Sequence, residues 1–178
     1  MKKLILTSVA SFVMLFTGLA QENTLSKNFS LGFQLVQYQR DFGIGMNVTS
    51  PFFFGNRIAI RAKGDIMWNE HLLDGKSTWS EYTNASVGVV AMAGEIANII
   101  RLYGEGGVLF IFPNTNFSSA SSEVGGYGLF GFEFFFYQKG NYYIEIGGVG
   151  TGAVADKINT QPIYSNGLII NVGFRFHL

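Results

Sequence analysis

Nine charged residues are spaced so that they alternate with apolar residues along the chain. A period of two places the charged and the apolar sets on opposite faces of a β-strand. The charged set is Arg57, Arg61, Lys63, Asp65, Arg101, Glu105, Glu133, Glu145 and Arg175. Burying one such charge alone would cost several kcal/mol, so charges of both signs on an enclosed face should pair. The spacing therefore predicts an internal ion-pair network, which could act as a permanent plug or as a narrow pore gated by partner exchange.

The two histidines are the candidates for nucleophilic or acid–base chemistry. The residues that could complete a triad around His71 are Glu70, Asp74, Ser77 and Ser80. Their order matches no deacylase signature, and His177 is expected to have no serine in register. A solvated loop histidine is the favoured interpretation, so no catalytic residue and no enzyme activity are predicted. A lipid-modifying enzyme remains the alternative.

Two glycine motifs resemble dinucleotide-binding fingerprints: GYGLFG at residues 126–131 and GTGAVA at residues 150–155. Such a site needs a helix after the glycines to hold the pyrophosphate at its N-terminus. Strand-like alternation continues through residues 126–136, so no nucleotide and no other cofactor is predicted. Because the chain has no cysteine, no thiolate metal site is available, and no metal is expected.

A second glycine set lies at outward-facing positions of three consecutive predicted strands. Its members are Gly104, Gly106, Gly126, Gly128, Gly148, Gly150 and Gly152. Small residues allow close approach in membranes, so this glycine patch could dock a partner protein or a lipid. Alternatively, the glycines relieve wall curvature, with Tyr103, Tyr127 and Tyr143 covering the thin wall from inside.

Eight strands are needed to position these residues. The alternation predicts them at about residues 29–37, 42–49, 57–68, 81–93, 99–112, 123–137, 142–153 and 166–178. Long polar connections are expected at 69–80, 113–122 and 154–165, separated by short turns. Spanning barrels have tight periplasmic turns and longer outer loops, so both termini are placed in the periplasm.

Aromatic girdles are expected at both rims. Phe52, Phe53, Phe54, Tyr137, Tyr142 and Phe176 are assigned to the periplasmic rim, and Trp68, Trp79, Tyr82, Phe112 and Tyr164 to the outer rim.

The N-terminus and the composition indicate an exported membrane protein. Lys2 and Lys3 precede an apolar run that ends near Ala20, which predicts a signal peptide over residues 1–20 and a barrel domain over 21–178. Aromatic residues make up 16 % of the chain, and 23 glycines accompany them, but no apolar span of helical length follows the signal. Dispersed apolar residues suit barrel strands. Removing the two lysines takes the formal charge from 0 to −2, which argues against nucleic acid as a partner.

The final stretch, NGLIINVGFRFHL, alternates apolar and polar residues to the chain end and resembles the closing strand of Gram-negative outer-membrane barrels. Leu178 stands where that family usually has Phe or Trp. The mature chain resembles the small eight-stranded proteins of the OmpX/OmpA-barrel type. The resemblance implies an antiparallel up-and-down transmembrane β-barrel in the cell outer membrane, with a structural or interaction role. It also implies contact with outer-membrane lipid, recognition of the last strand by the barrel assembly machinery, and a possible partner protein at the outer loops or the glycine patch. A soluble lipocalin-like barrel would have the opposite faces.

Overall fold

Alternation of apolar and polar side chains produces eight consecutive strands in the computed structural model, which describes residues 27–73, 76–97, 99–137 and 139–178. The strands are β1 (Ser30–Tyr38), β2 (Asp41–Thr49), β3 (Ile58–Leu73), β4 (Lys76–Ile96), β5 (Ile100–Phe112), β6 (Glu123–Tyr137), β7 (Gly140–Thr151) and β8 (Gly167–His177). The predicted signal peptide, residues 1–20, lies outside these ranges. Within them, no helix is long and apolar enough to cross a bilayer.

The strands form one closed, antiparallel, up-and-down ring. Each strand pairs with its neighbour in sequence, and β1 closes the ring against β8, from Ser30 opposite His177 to Tyr38 opposite Ile169. Closure gives every strand two partners, which leaves no open sheet edge in the wall. The predicted fold class is confirmed.

The outer face of the ring is apolar, and the inner face is polar and aromatic. Phe33, Val87, Phe110 and Ile144 are exposed on the outside. Inward residues such as Arg61 and Glu145 are buried. This reversal of the usual soluble pattern matches a wall that faces hydrocarbon.

The connection between β3 and β4 differs from the prediction. Residues 69–80 were expected to form a polar loop, but β3 continues to Leu73 and β4 begins at Lys76. The two strands pair there, with Glu70 opposite Trp79 and Leu72 opposite Ser77. Polar residues continue the two-residue period in this segment, and β-forming residues such as Trp79 support it. The prediction of a loop at residues 69–80 was therefore wrong, because it relied on the polar composition of this segment. The long outer connections are residues 113–122 and 152–166.

The outer aromatic girdle also needs a correction. Tyr82 and Tyr164 were assigned to the outer rim, yet only 3 % of Tyr82 and 0 % of Tyr164 is exposed. Both rings lie in the mouth of the barrel, where they pack on Phe117. Trp79, by contrast, is exposed on the outside of the hairpin. Tyr82 takes part in this inner cluster because its position on β4 points inward, whereas Tyr164 belongs to the loop before β8, which brings its ring into the mouth.

Candidate functional site in the barrel lumen

Glu145 on β7 lies at the centre of a buried charge network. Its carboxylate receives Arg175 Nη2 at 2.8 Å, Arg61 Nη1 at 2.9 Å and Lys63 Nζ at 3.1 Å. Tyr103 Oη and Asn171 Nδ2 also donate to it, at 2.6 and 2.8 Å. These donors come from β3, β5 and β8. One carboxylate thus joins opposite parts of the wall across the lumen.

Glu105 and Glu133 extend this network to neighbouring strands. Arg61 Nη1 and Lys63 Nζ lie 2.7 and 2.9 Å from the Glu105 carboxylate oxygens. Arg175 Nη1 and Arg101 Nη1 lie 2.6 and 3.3 Å from those of Glu133. Arg61 Nη2 also lies 3.7 Å from a Glu133 oxygen. Glu105 therefore meets two cations and Glu133 three, which is the arrangement that compensates buried charge.

Aromatic faces complete the surroundings of the arginines. The Arg175 guanidinium lies 3.6 Å from the centroid of the Tyr143 ring, and the Arg61 guanidinium lies 5.1 Å from that of Tyr103. Arginine stacks well on such faces, so each ring stabilises a guanidinium that is removed from water. The rings also fix the orientation in which the guanidinium groups reach the carboxylates.

Asp65 on β3 is buried near the network but outside its direct ion pairs. Its Oδ1 accepts a hydrogen bond from Gln34 Nε2 at 2.5 Å. No cation of the described residues lies within 4.0 Å of its carboxylate, as the neighbouring Lys63 is directed to Glu105 and Glu145. Asp65 is thus the network carboxylate without a direct cationic partner.

Arg57 does not belong to this network. The prediction placed it on the inner face, but β3 begins at Ile58, and Arg57 ends the turn from β2 with an exposed side chain. Phe54, Gly55 and Asn56 in this turn have positive φ angles of 49°, 70° and 61°. The left-handed backbone turns the chain sharply, so the strand period cannot be extended back to residue 57.

A second polar cluster, at the outer end of the lumen, was missed by the sequence analysis. Asp41 at the start of β2 accepts from Asn69 Nδ2 at 2.5 Å, Tyr82 Oη at 2.8 Å and the Ser165 backbone N–H at 2.6 Å. Asn84 Nδ2 donates to Ser165 Oγ at 2.9 Å. We call this set the outer latch: Asp41, Asn69, Tyr82, Asn84 and Ser165. It holds the loop at residues 152–166 in the barrel mouth.

The two long outer loops also hold each other. Ser119 donates its backbone N–H to Asp156 Oδ1 at 2.8 Å, and its hydroxyl donates to the other oxygen of the same carboxylate. Lys157 Nζ donates to the Thr115 carbonyl at 2.6 Å. The side-chain hydrogen bond from Ser119 lowers the pKa of Asp156 below its ordinary value. We call these contacts among Thr115, Ser119, Asp156 and Lys157 the loop clasp. Beneath it, Phe117 packs on Tyr82 and Tyr164.

The histidines occupy two different positions. His71 is buried in the outer mouth, where its ring lies 6.3 Å from that of Phe117. Ser77 donates to Glu70 on the hairpin's outer side, and Asp74 lies outside the described residues. At the periplasmic end, Ser30 is the register partner of His177, contrary to the expectation that no serine lies beside it. His177 Nε2 lies 2.9 Å from Asn141 Nδ2.

Six residues of the glycine patch lie on the outer side of β5, β6 and β7, whereas Gly152, predicted on the seventh strand, is exposed just after the end of β7 at Thr151. Gly128 is the register partner of both Gly106 and Gly148, and Gly126 that of Gly150. A Cβ added at Gly128, Gly150 or Gly152 would have no protein atom within 4 Å, and the other four would meet only ordinary contacts. The wall itself therefore does not require glycine at these positions.

Inward glycines have the opposite surroundings. A Cβ at Gly131 would lie 2.6 Å from Tyr103 Oη, one at Gly107 would lie 2.8 Å from Tyr127 Oη, and one at Gly173 would lie 2.7 Å from Tyr143 Oη. The three tyrosines thus lie over inward glycines of neighbouring strands. Close approach of a ring to the backbone requires glycine there.

Comparison with known proteins supports the architecture. A scan of protein-family models found no match, and a search of curated proteins also found none. Among solved structures, the N-terminal β-barrel domain of OprF from Pseudomonas aeruginosa is 10 % identical, with a TM-score of 0.60, over 85 % of this chain and 98 % of that one. The outer membrane protein OprG from the same organism is 13 % identical, with a TM-score of 0.60, over 85 % and 96 %. At these identities the likeness concerns the fold, which is that of small eight-stranded outer-membrane β-barrels.

Proposed function

We propose that this outer-membrane-type barrel resides in the outer membrane as a structural or interaction protein whose lumen is closed to steady ion flow. The proposal depends above all on Glu145, which accepts hydrogen bonds from five side chains of three strands across the lumen. An eight-stranded barrel is only wide enough for side chains to fill. A carboxylate tied to β3, β5 and β8 at once leaves little room for an ion to pass.

The outer end supports the same proposal. The outer latch and the aromatic cluster of Phe117, Tyr82 and Tyr164 lie across the mouth, above the ion-pair network. Two barriers of different chemistry therefore follow one another along the lumen. A gated pore would require both barriers to open together. The proposal includes no enzymatic activity.

Planar bilayer recordings of the purified, folded protein test this closure. We expect no steady conductance from the wild type. Because both barriers must open, Glu145→Ala combined with Asp41→Ala should admit brief ion currents if the double variant folds, and Glu81→Ala, at an exposed outer position, is the control. Large steady conductance from the wild type would contradict the proposal and favour the gated pore. Recovery of the mature protein in the soluble periplasmic fraction would contradict the location.

We further propose that the glycine patch docks a partner protein or a lipid. The open space outside its members favours this over curvature relief, because the tight contacts occur at the inward glycines instead. Close backbone approach is what small residues provide in a bilayer. Gly128→Leu and Gly150→Leu should fold but lose a molecule that copurifies with the wild type in mild detergent.

Gly64→Leu is the matched control, because Gly64 is also outward and open but lies on β3, away from the patch. Retention of every copurifying molecule by all three variants would show that the patch docks nothing.

A further inference from the structure

A small cavity lies inside the barrel beside the ion-pair network. It offers about 10 Å³ to the centre of a water-sized sphere, close to the space that one water molecule needs. Lys63, Asp65 and Asn171 line it on the side of the network, and Tyr38 lines it as well. Leu129 is one of the apolar residues that complete the lining. The cavity therefore joins a charged and an apolar region of the lumen.

Two acceptors in this lining have hydrogen-bonding capacity that the protein leaves unused. Asp65 accepts from Gln34 through Oδ1 and has no cation of the described residues within 4.0 Å. Asn171 donates to Glu145 through Nδ2, while its Oδ1 accepts no hydrogen bond from the described residues. Both side chains are more than nine-tenths buried. Buried acceptors of this kind are usually satisfied by an internal water.

Lys63 and Tyr38 provide donors to the same cavity. The Lys63 ammonium has three N–H groups, and its contacts with Glu105 and Glu145 account for two of them. The Tyr38 hydroxyl accepts from Asn84 Nδ2 at 3.4 Å, which leaves its own hydrogen for another acceptor. These four groups offer two acceptors and two donors, the full complement that one water molecule can use, and the Ser86 hydroxyl also lines the cavity.

We propose that the cavity is a binding site for a single water molecule that donates to Asp65 and Asn171 and accepts from Lys63 and Tyr38. The water gives Asp65 an indirect link to the Lys63 ammonium. It also connects the ion-pair network, through Tyr38 and Asn84, to Ser165 in the outer latch. A metal cation fits the cavity less well because an ammonium group already lines it.

Nuclear magnetic resonance of the full mature chain in detergent micelles tests this site. With methyl-labelled protein, we expect magnetisation transfer from the water resonance to the methyl groups of Leu109, Leu129 and Ile169, which line the cavity. The transfer should have the sign expected for a water molecule whose residence time in the cavity exceeds the rotational tumbling time of free water. Methyl groups of outward residues such as Val87 provide the internal comparison.

Ser86→Val should fill the cavity, because Ser86 lines it, and should abolish the transfer in a folded barrel. Tyr127→Phe is the control: Tyr127 also lines the cavity, but its hydroxyl donates to Glu105 at 2.8 Å, so the transfer should persist. Absence of transfer in the wild type would overturn the proposal, even if Ser86→Val does not fold. Shifts of these methyl resonances when choline chloride is replaced by sodium chloride would also overturn it, in favour of a cation.

Discussion

Ser165 donates its backbone N–H to Asp41 Oδ2 over 2.6 Å, although 124 positions separate the two residues in the chain. Asp41 begins β2, and Ser165 lies just before β8. Ser165 adopts a positive φ of 48°, which is uncommon for a residue other than glycine. The bond attaches the last outer loop to the first outer turn.

Removing this carboxylate should loosen the outer loop without opening the ring. In Asp41→Ala, the donors on Ser165, Tyr82 and Asn69 lose their shared acceptor, so we expect the free energy of unfolding to fall by about 1–3 kcal/mol. Hydrogen exchange at the Ser165 amide should accelerate. Exchange at Val172, in the middle of β8, serves as the reference. Unchanged protection of Ser165 would show that the loop is held by packing alone.

The two kinds of buried carboxylate should respond differently to neutralisation. Glu145→Gln removes the charge that faces Arg61, Lys63 and Arg175, and should lower the free energy of unfolding by about 3–5 kcal/mol. Asp65→Asn breaks no direct ion pair and should cost clearly less. Urea unfolding in micelles measures both. Equal losses would mean that direct ion pairs do not determine the stability of the lumen.

Inward and outward glycines form a matched pair for substitution by alanine. A Cβ at Gly147 would collide with the backbone of Gly128 and Leu129, so Gly147→Ala should cost about 1–3 kcal/mol. A Cβ at Gly128 has open space, so Gly128→Ala should leave the free energy of unfolding nearly unchanged. Thermal unfolding of both variants gives the comparison. A larger loss at Gly128 would contradict the assignment of the two faces.

The loop clasp should weaken in acid. Because the folded-state pKa of Asp156 is lowered, the clasp stabilises the loops above the ordinary pKa of an aspartate and loses this effect as the pH falls through the lowered value. The protection of the Ser119 amide, measured relative to the intrinsic exchange rate at each pH, should therefore fall only in strongly acidic solution. In Asp156→Asn, the protection should already be low at neutral pH and should not change in this range. A clasp that opens near neutrality would contradict this account.

The wall of the barrel could be predicted from the sequence, whereas the closure of its outer end could not. Residues such as Arg61 and Glu145 follow the period of their strands, and that period alone assigns them to the inner face. Arg57 matches the same period by coincidence, because a turn with left-handed residues precedes β3. The bond between Asp41 and Ser165 has no local signal, since it depends on how a loop without periodicity folds back into the mouth.

The position of Arg175 on β8 affects how the barrel can be completed. This strand is the last of the eight in chain order, yet its arginine meets Glu133 and Glu145 from β6 and β7. Until β8 closes the seam with β1, these carboxylates lack one of their counter-ions and favour water in the unfinished interior. Ring closure therefore also completes the set of cations around Glu133 and Glu145. A barrel that is still open along this seam should hold more water inside than the closed one.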